Sequence, residues 1–386
     1  MSSYSYADVE RMLATGDLRG RLTRHDLPTP ALLLDLDAFE ANVAAMARHC
    51  RERGLALRPH GKTHKCPEIA KTLIRAGAAG ACAAKVSEAE VFADHGVTGL
   101  LVTTPVVSRH ALERAVALAQ KQNDALFLVD HAENVRALDA AATAADAVLN
   151  VVIDLHVGRK GGALPGQPAL ALARLVASLK GLKLAGLQAY AGFASHTVGY
   201  DQRRAVSTEA LAPAVETKRL LSRHGIECPL LTGGSTGTYD IDTAIDGVTE
   251  LQPGSFIFMD LDYRGIGGRD GGPYRDFQTA LTVLTTVVSK PTATLAIIDG
   301  GTKAFSTDRP IVPEATGIHG VVYSWGGDEH GKLDVRQASA AVELGDRLEF
   351  VVPHCDPTVN LYDRIYCLRD DIIEAVWSIA ARGKSQ

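Results

Sequence analysis

A chain of 386 residues is long enough for one large domain with a smaller one, or for two of similar size, which excludes a small disulfide-stapled scaffold. Its 40 Lys plus Arg against 45 Asp plus Glu leave a net charge of -5, with no global field to draw a phosphate backbone or anionic lipid, so nucleic acid is not an expected partner. Hydrophobic residues at 46% and charged residues at 22% suit a globular chain with a sizeable core, and no apolar run reaches the roughly 18 to 20 residues that span a bilayer.

The first 28 residues are acidic early and lack the continuous apolar stretch of a secretory signal, which makes the cytoplasm the expected compartment. They are expected to pack on a C-terminal β domain. From residue 30 to about 260, short runs rich in Val, Leu and Ala (31–36, 55–58, 80–84, 99–104, 125–129, 148–155, 184–190 and 229–232) alternate with amphipathic stretches. Near-continuous apolar runs suit strands buried on both faces of a parallel sheet. Their number and the helix-like segment after each predict a (β/α)8 barrel of the TIM type over 29–265, a doubly wound sheet being the other architecture with this alternation. After the first run, Asp37 and Glu40 can form a capping box, and Phe39, Val43, Met46 and Cys50 recur as one buried helical stripe. Beyond a Gly-rich, charged passage at 264–276 the pattern turns β-branched and alternating (FQTALTVLTTVVS, TLAIIDG, DRLEFVV, RIYCLRD), which predicts a separate β domain over 266–386. The six cysteines, Cys50, Cys66, Cys82, Cys228, Cys355 and Cys367, show no CxxC pairing and read as thiols.

In a barrel of this kind, chemistry sits just after the strands. RPHGKTHK at 58–65 follows a strand-like run and crowds lysines, histidines and an arginine together. It reads either as a solvated basic loop or as a site where neighbouring cations depress the pKa of a Schiff-base lysine. Thr232-Gly233-Gly234-Ser235-Thr236-Gly237 offers backbone N–H groups and hydroxyls that can cradle a phosphate, without the lysine of a nucleotide P-loop. The competing reading is a surface turn. PHCDP at 353–357, if the preceding strand runs through it, puts His354 and Asp356 on one face with Cys355 opposite, either a half-built metal site or a simple His–Asp hydrogen bond. Asp328-Glu329-His330 is a further ligand source or a solvated turn.

Taken together these segments resemble the fold-type III pyridoxal-phosphate enzymes, which pair an alanine racemase-type barrel with a β domain. Within them they resemble the family of D-threonine aldolase, 3-hydroxy-D-aspartate aldolase and eukaryotic-type D-serine dehydratase. The resemblance runs in order from Thr29-Pro30 to VWSIAARGK, through TPALLLDLDAFEANV, RPHGKTHKCPEIA, KVSEAE, GLQAYAG with His196, TGGSTG, ELQPGSFIFMDLDY, DEHG and PHCDPT.

The resemblance implies that Lys62 holds the cofactor and that His60, Arg159, Gln188, Tyr190, Thr232, Gly233, Gly234, Ser235, Thr236, Gly254, Ser255 and Tyr263 surround it. Arg159 would face the pyridine nitrogen and leave it a weaker electron sink than a carboxylate would. His354 and Asp356 would hold a divalent metal, manganese or magnesium before zinc because the oxygen donor is hard, and His196 would remove the substrate hydroxyl proton. The implied reaction is retro-aldol cleavage of a β-hydroxy-D-amino acid to glycine and an aldehyde by a homodimer. A D-serine or 3-hydroxy-D-aspartate dehydratase, in which the hydroxyl leaves, and a non-catalytic pyridoxal-phosphate regulator are the alternatives. The chain departs from the aldolase pattern at Lys160, Ser195, Ser235 and Thr104-Pro105, positions where a substrate side chain could be read.

Overall fold

The computed structural model describes residues 4–18, 22–158 and 161–386. Its first apolar run is strand β1 (Ala31–Asp35), which pairs antiparallel with Leu281–Thr292 and parallel with Arg364–Arg369, and so does not open the barrel as the sequence suggested. A central strand buried on both faces reads the same in either sheet.

The parallel sheet instead consists of β2 (Ala56–Leu57), β3 (Ala81–Ala83), β4 (Leu100–Val102), β5 (Leu126–Val129), β6 (Leu149–Asp154), β7 (Leu182–Ala189), β8 (Leu230–Gly233) and β9 (Glu250–Leu251), in the order β2-β9-β8-β7-β6-β5-β4-β3. With only two residues, β9 is too short to show a period, which is why the sequence reading missed it. The ring closes between β2 and β3 through Ala79 N–H to Leu57 O (2.7 Å), Cys82 N–H to Pro59 O (2.9 Å) and a parallel bridge from His60 to Cys82. Alternation separates the two faces of each strand: Ala81, Ala83, Leu100, Val102, Phe127, Val129, Val151 and Ile153 pack with Phe92, Leu138 and Val176 of the helices. Cys82, Leu101, Leu128 and Val152 form a distinct cluster on the other face.

Residues fall into two compact units, one of 44–254, 266–272 and 383–386, the other of residues up to 43, 255–265 and 273–382. In the second unit β1 sits between β10 (Leu281–Thr292) and β16 (Arg364–Arg369) in a nine-stranded sheet. Its other strands are β11 (Leu295–Ile298), β12 (Glu314–Ala315), β13 (Val322–Trp325), β14 (Gly331–Asp334), β15 (Arg347–Val351) and β17 (Ile372–Ser378). Helix Tyr6–Thr15, begun by a Ser5/Asp8 capping box, buries Val9, Met12 and Leu13 on this sheet with Leu22, Leu284, Tyr366 and Ile373. At the next helix, Leu36–Arg53, the cap is Asp35, whose Oδ1 accepts from Ala38 N–H at 2.9 Å; Asp37 and Glu40, expected as a capping box, bind Arg369 instead. Its stripe Phe39, Val43, Met46 and Cys50 is buried as the spacing required. No described helix is long and apolar enough to cross a membrane.

Candidate active site

Lys62 lies in a single 3-10 turn, Gly61–Thr63, directly after β2. The turn is oriented by His60, whose Nδ1 accepts the Lys62 backbone N–H at 3.3 Å. An imidazole that accepts at Nδ1 carries its proton on Nε2, which therefore donates to Thr103 Oγ1 at 3.0 Å, and that hydroxyl donates to Ala83 O at 3.2 Å. His60 is thus a neutral, buried strut between the ends of β2, β3 and β4. Lys62, His60, Thr103, Gln188, Tyr190 and Gln252 line a cavity of about 190 Å³.

Two of the other cations of RPHGKTHK, Arg58 and Lys65, are paired with buried carboxylates. Arg58 makes a two-pronged contact with Glu250, Nε to Oε1 at 3.1 Å and Nη2 to Oε2 at 3.0 Å. Lys65 Nζ lies 3.0 Å from Glu88 Oε1. Burial works against the Arg58 charge, and Glu250 more than offsets it, so the guanidinium stays above its usual range.

Strand register explains how polar groups survive inside the barrel. Asp154, Gln188, Thr232 and Glu250 are direct ladder partners across β6 to β9. Gln188 Nε2 donates to Asp154 Oδ1 (2.8 Å), Gln252 Nε2 donates to Gln188 Oε1 (3.0 Å) and Thr232 Oγ1 (2.9 Å), and Thr232 Oγ1 donates to Glu250 Oε1 (2.8 Å). Buried polar groups joined in this way fix the side chains that face the cavity. The sequence assigns no role to Asp154, a polar residue closing an apolar run, or to Glu250 and Gln252 within ELQPGSFIFMDLDY, because the groups that each one binds lie on other strands.

The glycine loop after β8 is shaped by close backbone approach. A Cβ at Gly233 would lie 2.0 Å from Ala189 O, and Gly234 has φ +74°. Beneath the loop Asp242 accepts from Ser207 Oγ (2.5 Å) and Thr238 Oγ1 (2.6 Å), and Thr238 Oγ1 accepts from Ser235 N–H (3.3 Å). Burial pushes the Asp242 carboxyl up to about 6, with the two hydroxyls drawing it back. Ser235 Oγ is buried with no hydrogen-bond partner, and Thr236 is buried beside it. An orphaned hydroxyl in a glycine turn fits an anion such as a phosphate, so these residues could hold that part of a cofactor.

His196 ends the short helix Gly192–Ser195, next to Tyr190, whose ring a Cβ at Gly192 would approach to 2.6 Å. Ser195 Oγ accepts Gly237 N–H at 3.0 Å, tying the His196 turn to the glycine loop. Fully buried Arg203 adds Nε to Gly237 O (2.8 Å) and Nη1 to Thr197 O (3.0 Å) and Ile266 O (2.9 Å). Sequence reasoning missed this arginine because its acceptors are main-chain carbonyls, which no residue type advertises. Gly254 packs so closely that a Cβ would fall 2.2 Å from Thr63 Oγ1, beside Lys62. Arg159 lies outside the described residues.

In the second unit β15 stops at Val351, and His354 is the N-cap of a short helix, Cys355–Val359. His354 and Asp356 therefore do not alternate along a strand, contrary to the sequence reading. His354 Nδ1 stands 2.7 Å from Asp308 Oδ2, so the ring donates there and presents Nε2 as an acceptor, the arrangement that also suits a metal-bound imidazole. Asp356 Oδ1 accepts from Ser255 Oγ at 3.3 Å. Asp260 accepts from Tyr263 N–H and Cys355 N–H, both at 2.8 Å; burial raises its pKa while these N–H groups oppose the rise. Ser255 and the buried Tyr263 thus sit in this unit, with His354 and Asp356. The donor chemistry of His354 and Asp356 fits two ligands of a divalent ion, although among the described residues no group of three or more His, Cys, Asp and Glu is placed to complete a set. Asp328-Glu329-His330 is an exposed turn between β13 and β14, where Glu329 pairs with Lys303.

Residues 34–262 match the family described as "Alanine racemase, N-terminal domain", and residues 280–368 match "Putative serine dehydratase domain". The chain is 38% identical over 359 residues, 93% of each chain, to a D-threonine aldolase of Arthrobacter sp. It is 33% identical over 363 residues, again 93% of each chain, to a 3-hydroxy-D-aspartate aldolase of Paracoccus denitrificans. The crystal structure of D-threonine aldolase from Filomicrobium marinum superimposes with a TM-score of 0.90 at 37% identity, covering 95% of this chain and 98% of that one. With a lysine-bearing cavity and a glycine loop at the ends of its parallel strands, the chain belongs to the fold-type III, alanine racemase-type family of pyridoxal-phosphate enzymes, in the branch of the D-threonine and 3-hydroxy-D-aspartate aldolases.

Proposed function

We propose that this protein is a carbon–carbon lyase that cleaves a β-hydroxy-D-amino acid of the D-threonine type to glycine and an aldehyde, using pyridoxal phosphate and a divalent metal. The observation that carries the reading is Lys62, held by the neutral His60 at a cavity of about 190 Å³ in a chain 38% identical to a D-threonine aldolase over 93% of its length.

When bound, pyridoxal phosphate supplies a carbonyl that an amine can hold and a conjugated ring that takes up negative charge from Cα. Lys62 Nζ is the amine offered for that carbonyl. Ser235 Oγ and the backbone of 233–236 would hold the phosphate, Tyr190 and Gln188 would flank the ring, and Thr232 and Gly254 keep the neighbouring backbone in place. His196 would take the proton of the substrate β-hydroxyl onto its imidazole; the Cα–Cβ bond then breaks with its electron pair left on Cα, and Lys62 Nζ returns a proton to that carbon. His354 Nε2 and Asp356 would hold a divalent cation, manganese or magnesium by the hardness of the carboxylate with zinc also accommodated, and such an ion supplies Lewis acidity toward a hydroxyl oxygen. Asp356 in place of a thiolate supports the aldolase over a dehydratase, the alternative that the serine dehydratase match keeps in view. We propose further a cytoplasmic homodimer, consistent with six buried cysteine thiols.

The test is incubation of the protein, with pyridoxal phosphate and manganese, with D-threonine, D-phenylserine, 3-hydroxy-D-aspartate and D-serine and their L-isomers, assaying glycine plus aldehyde and ammonia plus keto acid in parallel. Glycine from a D-isomer, abolished by chelator and by Lys62→Ala, is the expected result. Ammonia without glycine would move the protein to the dehydratases, and turnover by Lys62→Ala would refute the lysine assignment.

A further inference from the structure

Helix Val86–Asp94 grips the Lys62 turn at two points one helical turn apart. Phe92 lies so close to Gly61 that a Cβ there would come within 2.3 Å of its ring, and the same ring stands 5.9 Å from the His64 imidazole. Four residues earlier on the same face, Glu88 reaches Lys65 Nζ at 3.0 Å and accepts the Ala84 N–H with its other oxygen. The Glu88 side chain is 0% exposed and that of Lys65 12%, so this is an ion pair removed from water. Lys65 has φ 50°, a left-handed backbone, with its N–H on Gly61 O at 2.7 Å. The chain is thus bent so that Lys65 turns to Glu88 while Lys62 lines the cavity. Burial pushes the Glu88 carboxyl upward, opposed by Lys65, then by the Ala84 N–H, then by the charge of Lys62 itself, which places Lys62 within electrostatic reach of the same carboxylate.

We propose that Glu88 is a positioning residue for Lys62: by cancelling the charge of Lys65 it keeps a second ammonium from acting on the Lys62 amine and so sets that amine's protonation. The inference rests on the reading of Lys62 as the cofactor-holding amine. The ionisable groups at or beside this corner include Lys62, Lys65, His64 and the Cys82 thiol, Tyr190 in the wall of the Lys62 cavity, and, on the Glu88 helix, its N-cap Lys85 and the C-terminal Gln386 bound to Ser87, while His60 is neutral and Arg58 is committed to Glu250.

The experiment measures the pH profile of Lys62 acylation by an amine-reactive reagent in the full chain freed of cofactor, read by peptide mass spectrometry, together with the pH titration of the cofactor chromophore in the loaded protein. Glu88→Gln strips Lys65 of its counter-charge, and loss of a negative charge disfavours the ammonium, so the Lys62 profile is expected to move to lower pH by about one unit, about a tenfold gain in labelling on its acid side. The double variant Lys65→Met/Glu88→Gln removes both charges and is expected to return the profile to that of the wild type, which a purely structural role for Glu88 would not do. A Glu88→Gln profile that superimposes on the wild type, or that the double variant fails to restore, overturns the proposal. Should Glu88→Gln not fold, Lys65→Met and the double variant serve alone: neither is expected to move the profile downward, and a downward move in either overturns it. Borohydride reduction of the loaded wild type separates the underlying reading, because a pyridoxyl adduct on a residue other than Lys62 refutes that reading whatever the labelling shows.

Discussion

Replacing Glu250 by Gln should destabilise the barrel unit more than any surface change, because it leaves Arg58 charged and enclosed. The two side chains are 11% and 2% exposed and share contacts at 3.0 to 3.1 Å, and Glu250 also accepts from Thr232 while Arg58 donates to Gly99 O. Breaking a buried pair from one side costs about 3–5 kcal/mol, since the remaining charge keeps its desolvation penalty without its partner. For a unit of this size that corresponds to a fall in Tm of roughly 6–20 °C. The pair joins the end of β2 to β8 and β9 and to the residue before β4, so the loss should appear in the far-ultraviolet circular dichroism of the barrel during urea unfolding, as a lower midpoint with little change in slope. Arg58→Met/Glu250→Leu, which buries no charge, should recover more than half of the loss, the remainder reflecting the Thr232 hydroxyl, which loses its acceptor, and the Gly99 carbonyl, which loses the Arg58 donor. A Glu250→Gln midpoint within about 1 kcal/mol of the wild type would refute the reasoning, because the pair would then be no better than a surface bridge.

Gly254→Ala puts a methyl group 2.2 Å from Thr63 Oγ1 and should cost about 1–3 kcal/mol and loosen cofactor retention on gel filtration; Thr63→Ala in the same chain should relieve both. Asp308→Ala removes the carboxylate that orients His354 and should weaken manganese binding about 10- to 100-fold by calorimetric titration, an unchanged affinity arguing against the metal pair. Asp242 is raised from 3.8 to about 6, so the folded state binds its proton more tightly than the unfolded one. The stability this confers is complete below about pH 4, lost as pH rises through about 6, and the difference is on the order of 3 kcal/mol. Urea midpoints from pH 4 to 8, taken as wild type minus Asp242→Asn, should fall across that window and stay flat above it, and a rising difference would contradict the assignment.

Much of the chemistry was legible along the chain because it sits in contiguous segments. RPHGKTHK brings the candidate amine and its orienting imidazole within three positions, and the glycine loop carries its own backbone donors; local order suffices to place such groups together. Alternation of apolar runs with amphipathic helices likewise specifies a parallel barrel, since buried parallel strands and their covering helices each leave a local pattern. What the chain order could not carry were pairings over long separations. β1 joins a mixed sheet because its two edges are taken by partners 247 and 333 residues downstream, Leu281 opposite Leu34 and Tyr366 opposite Leu33, and nothing in ALLLD distinguishes that sheet from the barrel. The partners of Arg58, Lys65, His354 and Arg203, namely Glu250, Glu88, Asp308 and the carbonyls of Gly237 and Ile266, are likewise distant in sequence. Residue types alone therefore nominate groups with the chemistry to react, whereas their orientation is decided by charges and hydrogen bonds that meet only when the strands close, because electrostatic interaction depends on separation in space and on exclusion of water, neither of which is written in linear order.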